Sequence, residues 1–223
     1  MNKVDYIFCI PGEKFSSKFL ISWTNSIISL MKNSESFIYI NHYTSLVTHT
    51  RNQMIRCFPG GKNSDPTNVL PFENKIEAKK IIFIDDDMVW NFDDLEKIMK
   101  SDKDIISGFC KTNFVNQNNE HMLSATKNNE YLFEKDIKNK TELIEVDSVG
   151  LAFLAINFEV FKTIKFPWFE NFDVVHEESK HVVNVSEDFV FCQKAIAAGY
   201  KIYADPTIKV GHEKYKVLDF KDE

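Results

Sequence analysis

Ile81-Ile82-Phe83-Ile84-Asp85-Asp86-Asp87-Met88 is the stretch that decides the fold. Four consecutive apolar residues fit a strand buried on both faces, the sequence signature of a central strand in an α/β sheet. The run passes without a spacer into three aspartates. Their mutual repulsion is costly unless something compensates it, and a bound cation does so directly. Hard carboxylate oxygens suit Mg2+ or Mn2+, ions that usually share their coordination with substrate phosphates. Side chains alternate along a strand, so Asp85 and Asp87 face one way and Asp86 the other. Asp87 is therefore assigned to the metal, and Asp85 to the metal or to the ribose of a nucleotide. Asp86 is then structural or supports the two ligands from behind. The bland alternative, three solvated turn residues, is disfavoured by the apolar run ahead of them.

Upstream, Val4 to Ile10 reads as a first buried strand halted by Pro11-Gly12, which puts the next loop at the carboxyl edge of a sheet, where ligands bind in open α/β folds. Phe15, Phe19, Trp23, Ile27 and Met31 recur every four residues and predict an amphipathic helix over 15–32. Phe37 to Ile40 is a second strand, and a helix starts near His49, with Thr48 or Thr50 as its cap. Residues 58–74 are loop by composition. Gly60-Gly61-Lys62 lacks the spacing of a phosphate loop and reads as a turn.

Downstream, Phe92 to Met99 predicts a short helix with acidic residues in its first turn, and Ile105 to Phe109 another strand. The polar segment 111–130 is expected to be an excursion or mobile loop over a site. Tyr131-Leu132-Phe133 and Leu143 to Val146 are expected to pair as an edge hairpin. Gly150 to Ile156 returns to the core, Asn157 caps a helical turn over 158–164, and Ser186 caps a helix from Glu187 to Ala198 that ends at Gly199. Lys201 to Ala204 is a last strand. This alternation predicts an α/β fold with a mostly parallel central sheet flanked by helices, as one domain over 1–212 followed by a charged tail, 213–223.

The 223 residues suffice for a sizeable core, and 43% apolar with 27% charged residues excludes disorder and fibrous folds. A formal charge of −6 argues against a surface devoted to duplex nucleic acid. Cys9, Cys57, Cys110 and Cys192 show no metal-type spacing and suit buried thiols in a reducing compartment. No run has the length of a membrane span, and the N-terminus lacks the pattern of a signal peptide, so a cytoplasmic protein is expected.

Two further features could join the aspartates. Glu187 and Asp188 stand at a predicted helix start, where carboxylates satisfy free N–H groups; in a cleft, Asp188 could act as a general base, with Glu187 orienting the acceptor. His212 follows a short strand and is either a surface residue or a third metal ligand. Arg51 reads equally as a diphosphate contact or as an ion pair on a helix. His42, His49, His121, His176 and His181 share no ligand spacing.

With these pieces in order, the chain resembles the metal-dependent nucleotide-sugar glycosyltransferases of the GT-A fold, family-2-like and in particular compact viral or bacterial relatives. The resemblance rests on Cys9-Ile10-Pro11-Gly12, Thr50-Arg51-Asn52, Phe83 to Met88, Val149-Gly150-Leu151-Ala152-Phe153, Phe166-Pro167-Trp168-Phe169, Ser186-Glu187-Asp188-Phe189, and Gly199 to Ile202 leading to Gly211-His212. It implies that Pro11, Arg51, Asp85 and Asp86 contact a nucleotide-diphosphate sugar carrying UDP or GDP. It also implies that Asp85, Asp87 and His212 hold Mn2+ or Mg2+. Asp188 would be the base of an inverting transfer, with Glu187 beside it. Trp168 and Gly150 would line the side that receives a saccharide, glycan or protein hydroxyl. The setting it implies is the cytoplasm of a virus-infected or bacterial cell. The insertion within 55–80 and the polar interval 170–185 depart from the family pattern and leave donor and acceptor open.

Three readings compete. Ile81 to Trp90 also fits a haloacid-dehalogenase-like phosphatase, with Asp85 as nucleophile, although the motif arrives late in the chain. A sugar-phosphate nucleotidyltransferase would need a glycine-rich basic loop, of which Pro11-Gly12-Glu13-Lys14 is a poor version. A non-catalytic nucleotide- or sugar-binding module would keep the fold and lose the chemistry.

Overall fold

The apolar run at 81–84 is a central strand in a computed structural model that describes residues 2–56, 69–175 and 182–214. Cys57, the Gly60–Lys62 turn, His176, His181 and the tail from 215 lie outside the described residues. In chain order the elements are β1 (Asn2–Pro11), α1 (Ser17–Lys32), β2 (Phe37–His42), α2 (Val47–Arg56), β3 (Ile76–Ile84), β4 (Met88–Val89), α3 (Phe92–Lys100) and β5 (Ile105–Phe109). Then follow β6 (Lys111–Val115), β7 (His121–Lys127), β8 (Glu130–Phe133), α4 (Glu134–Ile137), β9 (Ile144–Val146), β10 (Ser148–Val149), β11 (Phe153–Asn157) and α5 (Phe158–Thr163). The chain closes with β12 (Phe172–Val175), β13 (Val182–Val185), α6 (Glu187–Ala197), β14 (Ile202–Lys209) and β15 (Gly211–His212).

The main sheet has seven strands in the order β2-β1-β3-β11-β5-β14-β9. Ile81 to Ile84 have no exposed surface, and alternate residues enter two cores. Ile82 and Ile84 join Tyr6, Phe8, Phe19, Leu95 and Ile98 under α1 and α3, while Ile81 and Phe83 join Met54, Phe161, Phe169 and Phe191 under α2, α5 and α6. Each such side chain contributes about 1.5–3 kcal/mol by leaving water.

The sheet is mixed, which corrects the expectation of a mostly parallel one. β1 runs parallel to β2 and β3, and β14 parallel to β5, but β11 lies antiparallel between β3 and β5, and β9 antiparallel to β14. Phe153-Leu154-Ala155-Ile156 is as continuously apolar as a parallel central strand, because burial on both faces sets that pattern whichever way the strand runs.

Three smaller corrections concern local structure. Segment 111–130 is a β6–β7 hairpin rather than a loop, with β8 added to β7. Residues 131–133 and 143–146 do not pair with each other, since β9 joins β14. In α1, Ser16 caps the first turn by accepting from Phe19 N at 3.0 Å, and the buried positions are Phe19, Ser22, Ser26 and Leu30. A four-residue repeat drifts around a 3.6-residue helix, so Met31, the last of the predicted stripe, is 69% exposed.

The helix at Glu187–Ala197 starts after Ser186, whose hydroxyl makes no cap bond and donates instead to Asp188 Oδ1, and ends before Gly199 at φ +92, as that glycine predicts. α2 begins two residues earlier than expected. Thr48 instead donates to Asn171 Oδ1 at 2.8 Å, and Thr50 Oγ1 accepts from Thr44 N at 3.1 Å. Asn157 precedes α5 without a side-chain cap bond and donates instead to Asp104 Oδ1 at 2.6 Å.

Candidate active site

The parallel strands β1, β2 and β3 end at one edge, and there the chain turns sharply. Asp85 N donates to Ala152 O at 3.0 Å and Met88 N to Asp85 O at 3.2 Å, which splays the three aspartates around a tight turn. Asp86 packs against Gly12. A Cβ at Gly12 would fall 2.5 Å from the Asp86 Cβ, so the Pro11-Gly12 loop approaches this closely only without a side chain. Burial, then the charges of Asp87 and Asp85, push the Asp86 carboxyl upward.

His212 reaches this edge through the sheet. β14 runs beside β5, Val210 N donates to Phe109 O at 2.9 Å, and β15 then pairs antiparallel with β4, placing His212 opposite Met88. Its Nε2 lies 3.0 Å from Asp87 Oδ2, and its Nδ1 lies 3.0 Å from Lys111 O. With an acceptor facing each ring nitrogen, this arrangement favours the protonated ring. The bonds to Asp87 and Cys110 raise its pKa to about 10. Lys214 Nζ also donates to Asp87 Oδ2, at 2.9 Å. Burial pushes the Asp87 carboxyl up, but the bonds from His212 and Lys214 prevail and hold it below the usual range.

Asp85 is turned the other way. Arg51, 4% exposed on α2, donates from Nη2 to Asp85 Oδ1 at 2.7 Å and from Nη1 to Glu187 Oε1. Burial works against the guanidinium charge, and Asp85 and Glu187 outweigh it. Burial also pushes the Glu187 carboxyl up, with Arg51 opposing. Arg51 thus forms an ion pair, buried rather than on the helix surface, with two carboxylates from different elements. Glu187, 8% exposed, is held by Arg51.

Asp188 stands one residue on, at the first turn of α6. Ser186 Oγ and Phe189 N, the latter at 2.7 Å, bond Oδ1. Oδ2 lies on the side of Gly150, where an added Cβ would sit 3.9 Å from it. The two residues line a cavity of about 230 Å3 with Thr112, Tyr131 and Ser148. Trp168 lies elsewhere. It has no exposed surface, its indole N–H donates to Phe161 O (2.9 Å) and Ile164 O (3.1 Å), and its ring packs on Phe161 and Phe166. A side chain with no surface cannot line an acceptor site as it stands; here it fills the core.

The sequence reading missed two features. Asn52 accepts from Trp168 N (3.1 Å) and Phe169 N (3.2 Å) and donates to Phe169 O (2.5 Å), tying the segment after the cis Phe166-Pro167 bond to α2 beside Arg51. Tyr43 and Thr44 join Pro11, Gly12 and Asp85–Asp87 around a cavity of about 210 Å3. Like the loop after β1, the loop after the parallel strand β2 lies at the carboxyl edge of the sheet, where ligands bind in open α/β folds.

Among the described residues no group of three His, Cys, Asp or Glu side chains is placed to hold a metal ion. Asp87 and His212 supply two donors in contact, and the third expected ligand, Asp85, is turned to Arg51. Once the Nε2 proton is given up, the Asp87 carboxylate and the His212 imidazole fit a Mn2+ or Mg2+ ion that takes its other ligands from substrate phosphates and water.

No family model matches the chain, and no curated protein sequence matches it. Solved structures do. The crystal structure of A197 from STIV aligns over 97% of this chain and 98% of its own, at TM-score 0.51 and 17% identity. The crystal structure of GalNAc-T7 with UDP, GalNAc and Mn2+ aligns over 94% of this chain at TM-score 0.50 and 11% identity, and this chain spans 44% of it. At such identities the likeness speaks for architecture alone, and what the chain shares with these structures is a GT-A-like α/β fold.

Proposed function

We propose that the chain is a glycosyltransferase that moves a sugar from a UDP- or GDP-sugar to an acceptor hydroxyl with inversion, residues 1–212 acting as one catalytic domain. The observation that carries this reading is Arg51. By pairing with Asp85 at the end of β3 and Glu187 on α6, it fixes the strand-end aspartates and the acidic helix start against each other at a GT-A-like sheet edge.

The donor would lie along the β1–β3 edge, its nucleotide against Pro11, Gly12, Tyr43 and the Asp85–Asp86 turn. Asp188 Oδ2 would take the proton of the acceptor hydroxyl as that oxygen attacks the anomeric carbon, and the bond from that carbon to the diphosphate breaks on the opposite face. Gly150 leaves room for the acceptor beside Asp188. Lys214 stands next to Asp87 and can meet negative charge on the departing diphosphate. Mn2+ or Mg2+ bound by Asp87 and His212 would add Lewis-acid neutralisation of that charge. Arg51 and Glu187 act indirectly, by fixing α6 against the sheet edge. The free, buried thiols of Cys9, Cys110 and Cys192 suit a cytoplasmic setting, and among the described residues no helix is long and apolar enough to cross a membrane.

The test is nucleotide release from a panel of UDP- and GDP-sugars with Mn2+, alongside phosphate release from monoesters. Free UDP or GDP with a transferred sugar supports the proposal. Monoester hydrolysis would replace it with a phosphatase, formation of UTP or GTP from a nucleotide sugar and added pyrophosphate with a nucleotidyltransferase, and binding without turnover with a recognition module.

A further inference from the structure

A cavity of about 750 Å3 opens beside the His212 end of the site and contains none of the other residues assigned above. Its floor is apolar, formed by Phe109, Leu123 and Ile137 from β5, β7 and α4. Its rim carries Lys111, Lys135, Lys138 and Lys209 against Glu120 and Glu134. Lys111 pairs with Glu134 at 2.6 Å and Lys135 with Glu120 at 3.4 Å, which uses both acids. Among the described residues Lys138 and Lys209 have no side-chain partner and are exposed. A chain of net charge −6 thus presents two uncompensated ammonium groups around one apolar hollow.

The chemistry of this lining narrows its occupant. An apolar floor rewards an apolar body, and the volume lies within the ~300–1,000 Å3 common for small-molecule sites. The rim has no arginine, so it offers point charges instead of the planar fork that selects a carboxylate by shape. A phosphomonoester, carrying about −1.5 to −2 charges at neutral pH, matches two free ammonium groups better than a carboxylate with one. His212 closes one end of the cavity and bonds Asp87 on its other side, so a ligand seated here abuts the proposed donor site.

We propose that this cavity binds a phosphate-bearing group on an apolar body. The test is calorimetric titration of the full chain with phenyl phosphate, with no nucleotide sugar present. The expected result is binding that weakens with added salt and falls at least about tenfold in a Lys138→Glu, Lys209→Glu double variant, both residues being exposed charges whose loss leaves the fold intact by circular dichroism.

Four results would overturn the proposal: no binding, equal binding of phenyl glucoside or benzoate, equal binding of inorganic phosphate, or no loss in the double variant. The second removes the phosphate, the third removes the apolar body, and the fourth moves the ligand elsewhere. Nucleotide release is measured separately, so phenyl phosphate binding can succeed where transfer fails, and the reverse.

Discussion

Arg51 and Glu187 form a buried ion pair across 136 positions of sequence, and the other amino group of the same guanidinium holds Asp85 at 2.7 Å. One side chain therefore ties α2, the end of β3 and the start of α6 together. Removing it would strand two carboxylates, one of them buried, beside a third, Asp188. Arg51→Ala is expected to lower stability by about 3–5 kcal/mol, the usual cost of breaking a buried pair from one side. Urea unfolding measures it, and a loss below about 1 kcal/mol would show that the pair is not structural. Arg51→Lys keeps the charge but loses the two-pronged geometry, and is expected to recover only part of the loss.

Asp188 is the residue on which the proposed chemistry turns. Asp188→Asn keeps the shape and removes the base, and is expected to reduce sugar transfer by about 10²–10⁴-fold with little change in unfolding midpoint. Near-normal transfer by this variant at saturating Mn2+ would withdraw the assignment.

His212 and Lys80 give stability an alkaline pH dependence of opposite signs. His212 has its pKa raised from 6.5 to about 10, so its contribution is complete below pH 6.5 and is lost as pH rises through about 10. Lys80, 5% exposed on β3 and bonded to Ile98 O (3.2 Å) and Lys103 O (3.0 Å), has its pKa lowered by burial from 10.5 to about 8. Its cost is complete below pH 8 and is relieved as pH rises toward 10.5. Unfolding midpoints followed without metal from pH 6 to 11 are expected to change accordingly. His212→Gln should remove a fall that begins near pH 6.5, and Lys80→Met a rise that begins near pH 8. Unchanged pH profiles in both variants would show that these groups titrate alike in the folded and unfolded chain.

Trp168 separates a packing role from an acceptor role. Trp168→Ala is expected to cost about 3–5 kcal/mol, through the cavity it leaves and the loss of the bonds to Phe161 O and Ile164 O. Trp168→Phe should retain most of the packing. If the phenylalanine variant stayed as stable as the parent yet raised the KM for the acceptor severalfold, the side chain would have to move out of the core during turnover.

Local chemistry in the sequence determined the central strand, the turn of aspartates, the opening β–α–β unit and the helix between Ser186 and Gly199. Each follows from burial pattern, strand termination or capping within a few residues. Tertiary structure alone decided the direction of β11, because burial on both faces yields the same apolar run either way. It also decided which carboxylate each cation meets. Arg51 lies 34 and 136 positions from its two partners, and His212 lies 125 from Asp87. Such pairings are set by strand order and crossover, which no local pattern encodes. For the same reason Trp168 looked like an acceptor contact in sequence and is a core residue in the fold. An aromatic side chain reads alike whether its surroundings are solvent or Phe161.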